Sequence, residues 1–178
     1  MSAIHRIRFY HATLAILSIL AYLTGDFGLV HAWLGYGVAA IIAFRLLWAL
    51  SGNPHVGLMR FYPSFDGLKL SNAFSHPAIT KTFMMGIALS LMAATVTGIA
   101  MDKGKSIGIA DTKIVSVAYA DHDGGYNRDE SFMDEALEAT HEFFANLFLI
   151  FVGLHASYLL LFKRPLAKFM LFIEKKQK

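Results

Sequence analysis

The segment HEFFANLFLIFVGLH, residues 141–155, decides the reading of this chain. A histidine stands at each end, and almost everything between them is apolar. A step of fourteen residues is nearly four α-helical turns, so His141 and His155 leave the same helix face about 21 Å apart along the axis. An apolar helix of this length suits a membrane, and a histidine inside a membrane is costly and marks function. Two on one face, nearly a bilayer apart, suggest two stacked cofactors, each held near one membrane surface.

Working outward, the chain has 178 residues, of which 56% are hydrophobic and 16% charged. Soluble domains carry about 25% charged residues. The apolar residues fall in four blocks, about 9–25, 29–50, 79–101 and 137–162. Each approaches or reaches the ~20 residues that cross a hydrocarbon core, and the first is the shortest. It follows Arg6 and Arg8 like a signal peptide, but Tyr22-Leu23-Thr24 stands where a small-x-small cleavage site belongs, so the block is expected to be retained. The chain has no cysteine. That excludes disulfides, thiolate metal sites, iron–sulfur clusters and covalently attached c-type haem.

Charge placement sets the topology. Arg6 and Arg8 precede the first block. Arg45, Arg60, Lys69 and Lys81 surround the link between the second and third. Lys163, Arg164, Lys168, Lys175, Lys176 and Lys178 follow the fourth. These are twelve of the sixteen Lys and Arg residues. The link 102–138 instead carries nine acids: Asp102, Asp111, Asp121, Asp123, Asp129, Glu130, Asp134, Glu135 and Glu138. The positive-inside rule places both termini and the middle link in the cytoplasm and the acidic link outside. The isoelectric point near 9.1 therefore reflects inner-surface anchoring, and no motif calls for nucleic acid. Residues 51–78, with Pro54, Pro63 and Pro77, read as a loop with a short interfacial helix, and 102–131 as an irregular external loop.

Four of the eight histidines fall inside the blocks. With this topology His31 and His141 lie near the outer surface, and His11 and His155 near the inner one. Two axial imidazoles per haem give a six-coordinate iron with no open position, a site for electron transfer. The depth match has a flaw: His11 is three residues from Arg8, whereas His155 is eight from Lys163. Arg45, fourteen residues after His31, shares its face near the inner end and suits either a haem propionate or snorkelling to headgroups. Gly35 and Gly153 suit porphyrin clearance or, slightly better, helix contact. Gly86 and Gly98 carry no such argument. His5, His55, His76 and His122 read as solvated.

The stretches RFYHATLA, VHAWLGYGVAAIIAFRLLWALSG, SHPAITKTFMMGIALSLMAATVTG and THEFFANLFLIFVGLHA together resemble the bacterial cytochrome b561 family, including the b-type cytochrome subunits of nickel–iron hydrogenases. The His-Glu opening and fourteen-residue histidine spacing of the last stretch are its most specific parts. The resemblance covers nearly the whole chain except 102–131. Span one departs from the family's common His-Trp pair, having His11-Ala12.

The resemblance implies one transmembrane domain over residues 1–178, an all-α integral membrane four-helix bundle with N and C termini cytoplasmic, in the bacterial inner membrane. It implies two non-covalent b-type haems, His31/His141 outer and His11/His155 inner. It implies electron transfer between the membrane quinone pool and a redox partner, a periplasmic cytochrome or a peripheral dehydrogenase or hydrogenase subunit, with quinone or quinol as substrate and a quinol-linked oxidoreductase activity left open. The competing expectation is a metal-ion or proton transporter with a histidine-lined pathway. A third is a structural anchor, which leaves four aligned histidines unexplained.

Overall fold

The computed structural model describes residues 3–50, 62–69, 76–108 and 127–173. Among these the chain is helical, with no strand. The long helices are α1, Ala3–Leu23, α2, Leu29–Leu50, α3, Pro77–Asp102, and α4, Asn127–Phe162. A short α5, Arg164–Met170, follows.

Local chemistry explains the boundaries. After α1 the chain makes a single 3₁₀ turn, Gly25–Phe27, and reverses at Gly28, whose φ of 45° favours a residue without a Cβ. His76 caps α3: its Nδ1 accepts from the Ala78 N–H at 3.2 Å, and Pro77 occupies the first turn, where its missing N–H costs nothing. The His76 Nε2 also lies 3.1 Å from the Asp66 carbonyl. His76 is thus a structural cap that remains partly exposed. His55 and His122 lie outside the described residues. At its other end α3 stops on Lys103 and Gly104, both left-handed, with the Lys103 N–H returned to the Ile99 carbonyl.

The fourth helix differs most from expectation. Residues 127–131, read as irregular loop, are helical. At 36 residues α4 is about 54 Å long, well beyond a hydrocarbon core of about 30 Å. Its polar first turns therefore stand clear of an apolar layer, where helix formers such as Glu135, Ala136 and Leu137 continue the helix for their own propensity. Lys103 Nζ, 3.2 Å from the Asp134 carboxylate, ties this extension to the end of α3.

Neighbouring contacts run α1 to α2, α2 to α3, and most extensively α3 to α4. Gly86 lets the Phe151 ring lie so close that a Cβ there would sit 2.7 Å from it. Phe83 meets Tyr158 edge to face at 5.8 Å. On the far side the Tyr36 hydroxyl donates to Asp102 at 2.8 Å, joining α2 to α3. Val38, Leu91 and Phe148 form the buried centre, with Leu14, Leu17, Ile42, Ile87 and Val152 against it.

The outside is apolar. Phe9, Trp33, Phe44, Leu47 and Phe143 are each at least 60% exposed, a surface no monomer presents to water. Three helical segments are long and apolar enough to cross a membrane: Leu29–Leu50, Pro77–Asp102 and Phe132–Phe162. The expected first span is not among them. The helix exists, but His5, Arg6, Arg8 and His11 fill its first half.

Gly86→Ile is expected to lower the thermal transition of the protein in detergent by driving Phe151 from α3. Adding Phe151→Ala should restore much of the loss. A single variant as stable as the wild type would contradict this close contact.

Candidate functional site

His31 and His141, predicted as a pair, face each other. His31 is the third residue of α2 and His141 stands on α4. Their ring centroids are 5.8 Å apart, with planes at 87°. Two metal–imidazole bonds of about 2.0–2.1 Å each, plus the ring radii, come to little more than this.

Both rings are held by the same device. The His31 Nδ1–H donates to the Ala21 carbonyl at 2.8 Å. That carbonyl belongs to the last turn of α1, where helix carbonyls lack their usual i+4 partner. The His141 Nδ1–H donates to the Ala94 carbonyl of α3 at 2.9 Å, with the Thr97 hydroxyl at 3.3 Å. The Thr97 hydroxyl is itself directed back to Ala93 and Ala94 carbonyls. A carbonyl can only accept, so each Nδ1 carries the proton and each Nε2 keeps a lone pair. That is how a protein orients an imidazole toward a metal.

Gly98 makes the second anchor possible. A Cβ there would lie 3.0 Å from His141 Cε1. An alanine there would ask the ring to give by a few tenths of an ångström, and a long side chain would compete for the ring's own place. Beside these rings the Tyr22 hydroxyl donates to Asn146 Oδ1 at 2.8 Å, joining α1 to α4.

The inner pair is built differently. His11 of α1 and His155 of α4 are close enough to interact electrostatically. The His155 Nδ1 is buried and has no hydrogen-bond partner among the described residues. A buried ring nitrogen without a partner calls for an explanation, and ligation is one that histidine chemistry supplies. Arg45 is half-buried within electrostatic reach of Tyr10, one residue before His11, and the Tyr10 hydroxyl donates to the Ile41 carbonyl at 3.3 Å. Arg45 therefore stands at the inner level. Gly35 and Gly153 touch no other helix: a Cβ at either would meet nothing within 4 Å. Space rather than helix contact is what these two glycines leave, which corrects the reading that slightly favoured contact.

Between the two levels lies the apolar layer of Val38, Leu91 and Phe148. Phe148 is seven residues from each histidine of α4, on their shared face. Among the described residues no three His, Asp or Glu side chains come together. Two imidazoles per level is the set a porphyrin needs, since the macrocycle binds the iron and the protein adds axial ligands. The residues present fit a haem at each level.

Sequence reasoning missed four participants: the Ala21 and Ala94 carbonyls, Gly98 and the burial of Arg8. Arg8, read as a surface charge, is only 6% exposed. Its guanidinium carbon lies 3.6 Å from the Phe172 ring centre and 4.6 Å from that of Phe169, beneath the C-terminal segment. Arg8 is therefore covered by the C-terminal segment rather than open to solvent. Phe172 is left-handed at φ 63°, a conformation that costs a non-glycine residue about 1–2 kcal/mol. A desolvated cation–π contact of about 2 kcal/mol offsets it. Asn146, a polar residue five positions into an apolar run, was the one visible signal of the Tyr22 link.

A family model described as prokaryotic cytochrome b561 matches residues 5–172 of the chain. No curated protein and no solved structure matches it.

Gly98→Leu is expected to force the His141 ring from the Ala94 carbonyl. If His141 is an axial ligand, haem per polypeptide should fall by about half by pyridine haemochrome assay, while Thr97→Val, which leaves the carbonyl in place, keeps full content. Full haem content in Gly98→Leu would detach the anchor from cofactor binding.

Proposed function

The chain belongs to the prokaryotic cytochrome b561 family, and from that premise we propose that it is a di-haem transmembrane electron carrier linking the quinone pool to a redox partner outside the membrane. Membership makes it a b-type membrane cytochrome of electron transfer. The rest of this reading is built from the residues.

His31 and His141 are the axial ligands of an outer b haem, and His11 and His155 those of an inner one. The observation that carries the assignment is the matched anchoring of the facing pair, each Nδ1–H on a helix carbonyl and each Nε2 left as the ligating nitrogen. When bound, each haem accepts and gives up one electron at its iron. The protein's part is to hold the imidazoles, exclude water and set the spacing. The fourteen-residue step on α4 puts the two levels about 20 Å apart, with the Phe148 layer keeping the space between them dry. Arg45 balances negative charge at the inner level.

In this reading α1 is a fourth crossing. Its basic first turns rest at the cytoplasmic surface with the C terminus, in the inner membrane of a bacterium. The acids of the outer link, including Asp134, Glu135 and Glu138 on exposed turns of α4, favour a basic patch on a periplasmic cytochrome or peripheral dehydrogenase or hydrogenase subunit. Complementary charge raises the encounter rate more than the affinity. A histidine-lined transport pathway is less well supported. The Nδ1 protons of the outer pair are committed to backbone carbonyls, which suits fixed ligands better than a relay.

His141→Ala and His155→Ala, each purified with its haem quantified, test the assignment. Each variant should retain one haem of two and lose a different component of the redox titration. Two haems retained in either variant would contradict the ligand set.

A further inference from the structure

We propose that Arg8 is the anion-binding residue of the inner level, its guanidinium receiving an ionised haem propionate while the C-terminal phenylalanines hold it in place. This rests on the di-haem reading of the preceding section.

A buried cation is costly unless an anion meets it. Arg8 is 6% exposed and its Nε is buried without a hydrogen-bond partner. No carboxylate pairs with it among the described residues, and α1, α2 and α5 contain no Asp or Glu at all. Phe172 and Phe169 cover the guanidinium from its faces. Rings stacked on the faces do nothing for the N–H donors, which lie in the plane and point outward from its edge. The arrangement is half of a recognition site: the cation is positioned and buried, and its Nε donor is unspent.

Position identifies the missing half. Arg8 is three residues before His11, on the same face of α1, about 4.5 Å nearer the helix start. A haem ligated by His11 must turn its charged propionates away from hydrocarbon, toward that end. A propionate is a carboxylate, the planar partner that a guanidinium binds through two parallel hydrogen bonds. The left-handed Phe172 then has a purpose. The Phe172 N–H donates to the Phe169 carbonyl and the Ile173 N–H to the Lys168 carbonyl, a turn that brings the ring onto Arg8. The C-terminal segment thereby excludes water from the pair.

The test uses the full-length holoprotein, titrated electrochemically in Arg8→Gln and Arg8→Lys. Removing a positive charge beside an ionised propionate disfavours the reduced iron. At fixed poise the reduced-to-oxidised ratio of one haem should fall roughly tenfold in Arg8→Gln, the scale of a lost charge-assisted hydrogen bond. The other haem should be unmoved, and Arg8→Lys should recover part of the change. Unchanged ratios for both haems, with two haems still bound, would overturn the proposal. A lipid phosphate as the true anion would make wild type and Arg8→Gln coincide in lipid-free detergent, which also overturns it. If Arg8→Gln does not accumulate, Arg8→Lys decides alone: the redox-difference infrared bands of the propionate carboxylate should shift, and bands identical to wild type would refute the contact. A wild type carrying no haem would be a failure of the di-haem reading itself, distinct from any of these.

Discussion

Everything at the outer level depends on two hydrogen bonds from imidazole to helix backbone, His31 to Ala21 and His141 to Ala94. Inside a bilayer no water is at hand to satisfy a polar ring, so each nitrogen needs a partner built into the protein. Using one nitrogen on a carbonyl answers half of that demand and fixes the orientation of the other half. The two carbonyls are made available by different means. The Ala21 carbonyl stands at the end of α1, where it accepts from Thr24 and still has room for the imidazole. The Ala94 carbonyl is reached because Gly98 removes the side chain that would block the ring. The short reversal through Gly28 and the close packing of α3 on α4 are thus conditions for the site as much as features of the fold.

The inner level is organised by charge. Arg8 and Arg45 both stand there, one wholly buried and one half-buried, near His11 and His155. The same end of the molecule carries Arg6, Lys163, Arg164 and Lys168. In the proposed reading, topology and cofactor chemistry draw on one set of cations: some reach headgroups, and those folded inward meet negative charge. The apolar layer of Val38, Leu91 and Phe148 separates the two histidine levels.

Much of this was legible in the chain. Hydropathy marked α2 to the residue, 29–50, and α3 to within two residues at its start, because apolar runs end where Gly, Pro or charge intervenes. The fourteen-residue step and the charge asymmetry pair His31 with His141, whose rings the fold sets 5.8 Å apart. The start of α4 was not legible, since its first turns are polar and hydropathy speaks only for lipid-facing turns. Backbone carbonyls carry no sequence signature, so the anchors of His31 and His141 could not be read. Gly98 looked no different from Gly86, although one admits a histidine and the other a phenylalanine. Arg8 was taken for a headgroup anchor because burial by a distant segment, Phe169 and Phe172, leaves no trace near residue 8.

The central claim is that imidazole pairs grip iron porphyrin at two depths. Low-temperature electron paramagnetic resonance of the oxidised wild-type protein, with haem counted per polypeptide on the same sample, tests it most directly. The account predicts two haems per chain, both low-spin with two nitrogen ligands. A single haem, a high-spin five-coordinate signal, or a colourless protein from cells supplied with haem precursor would contradict it.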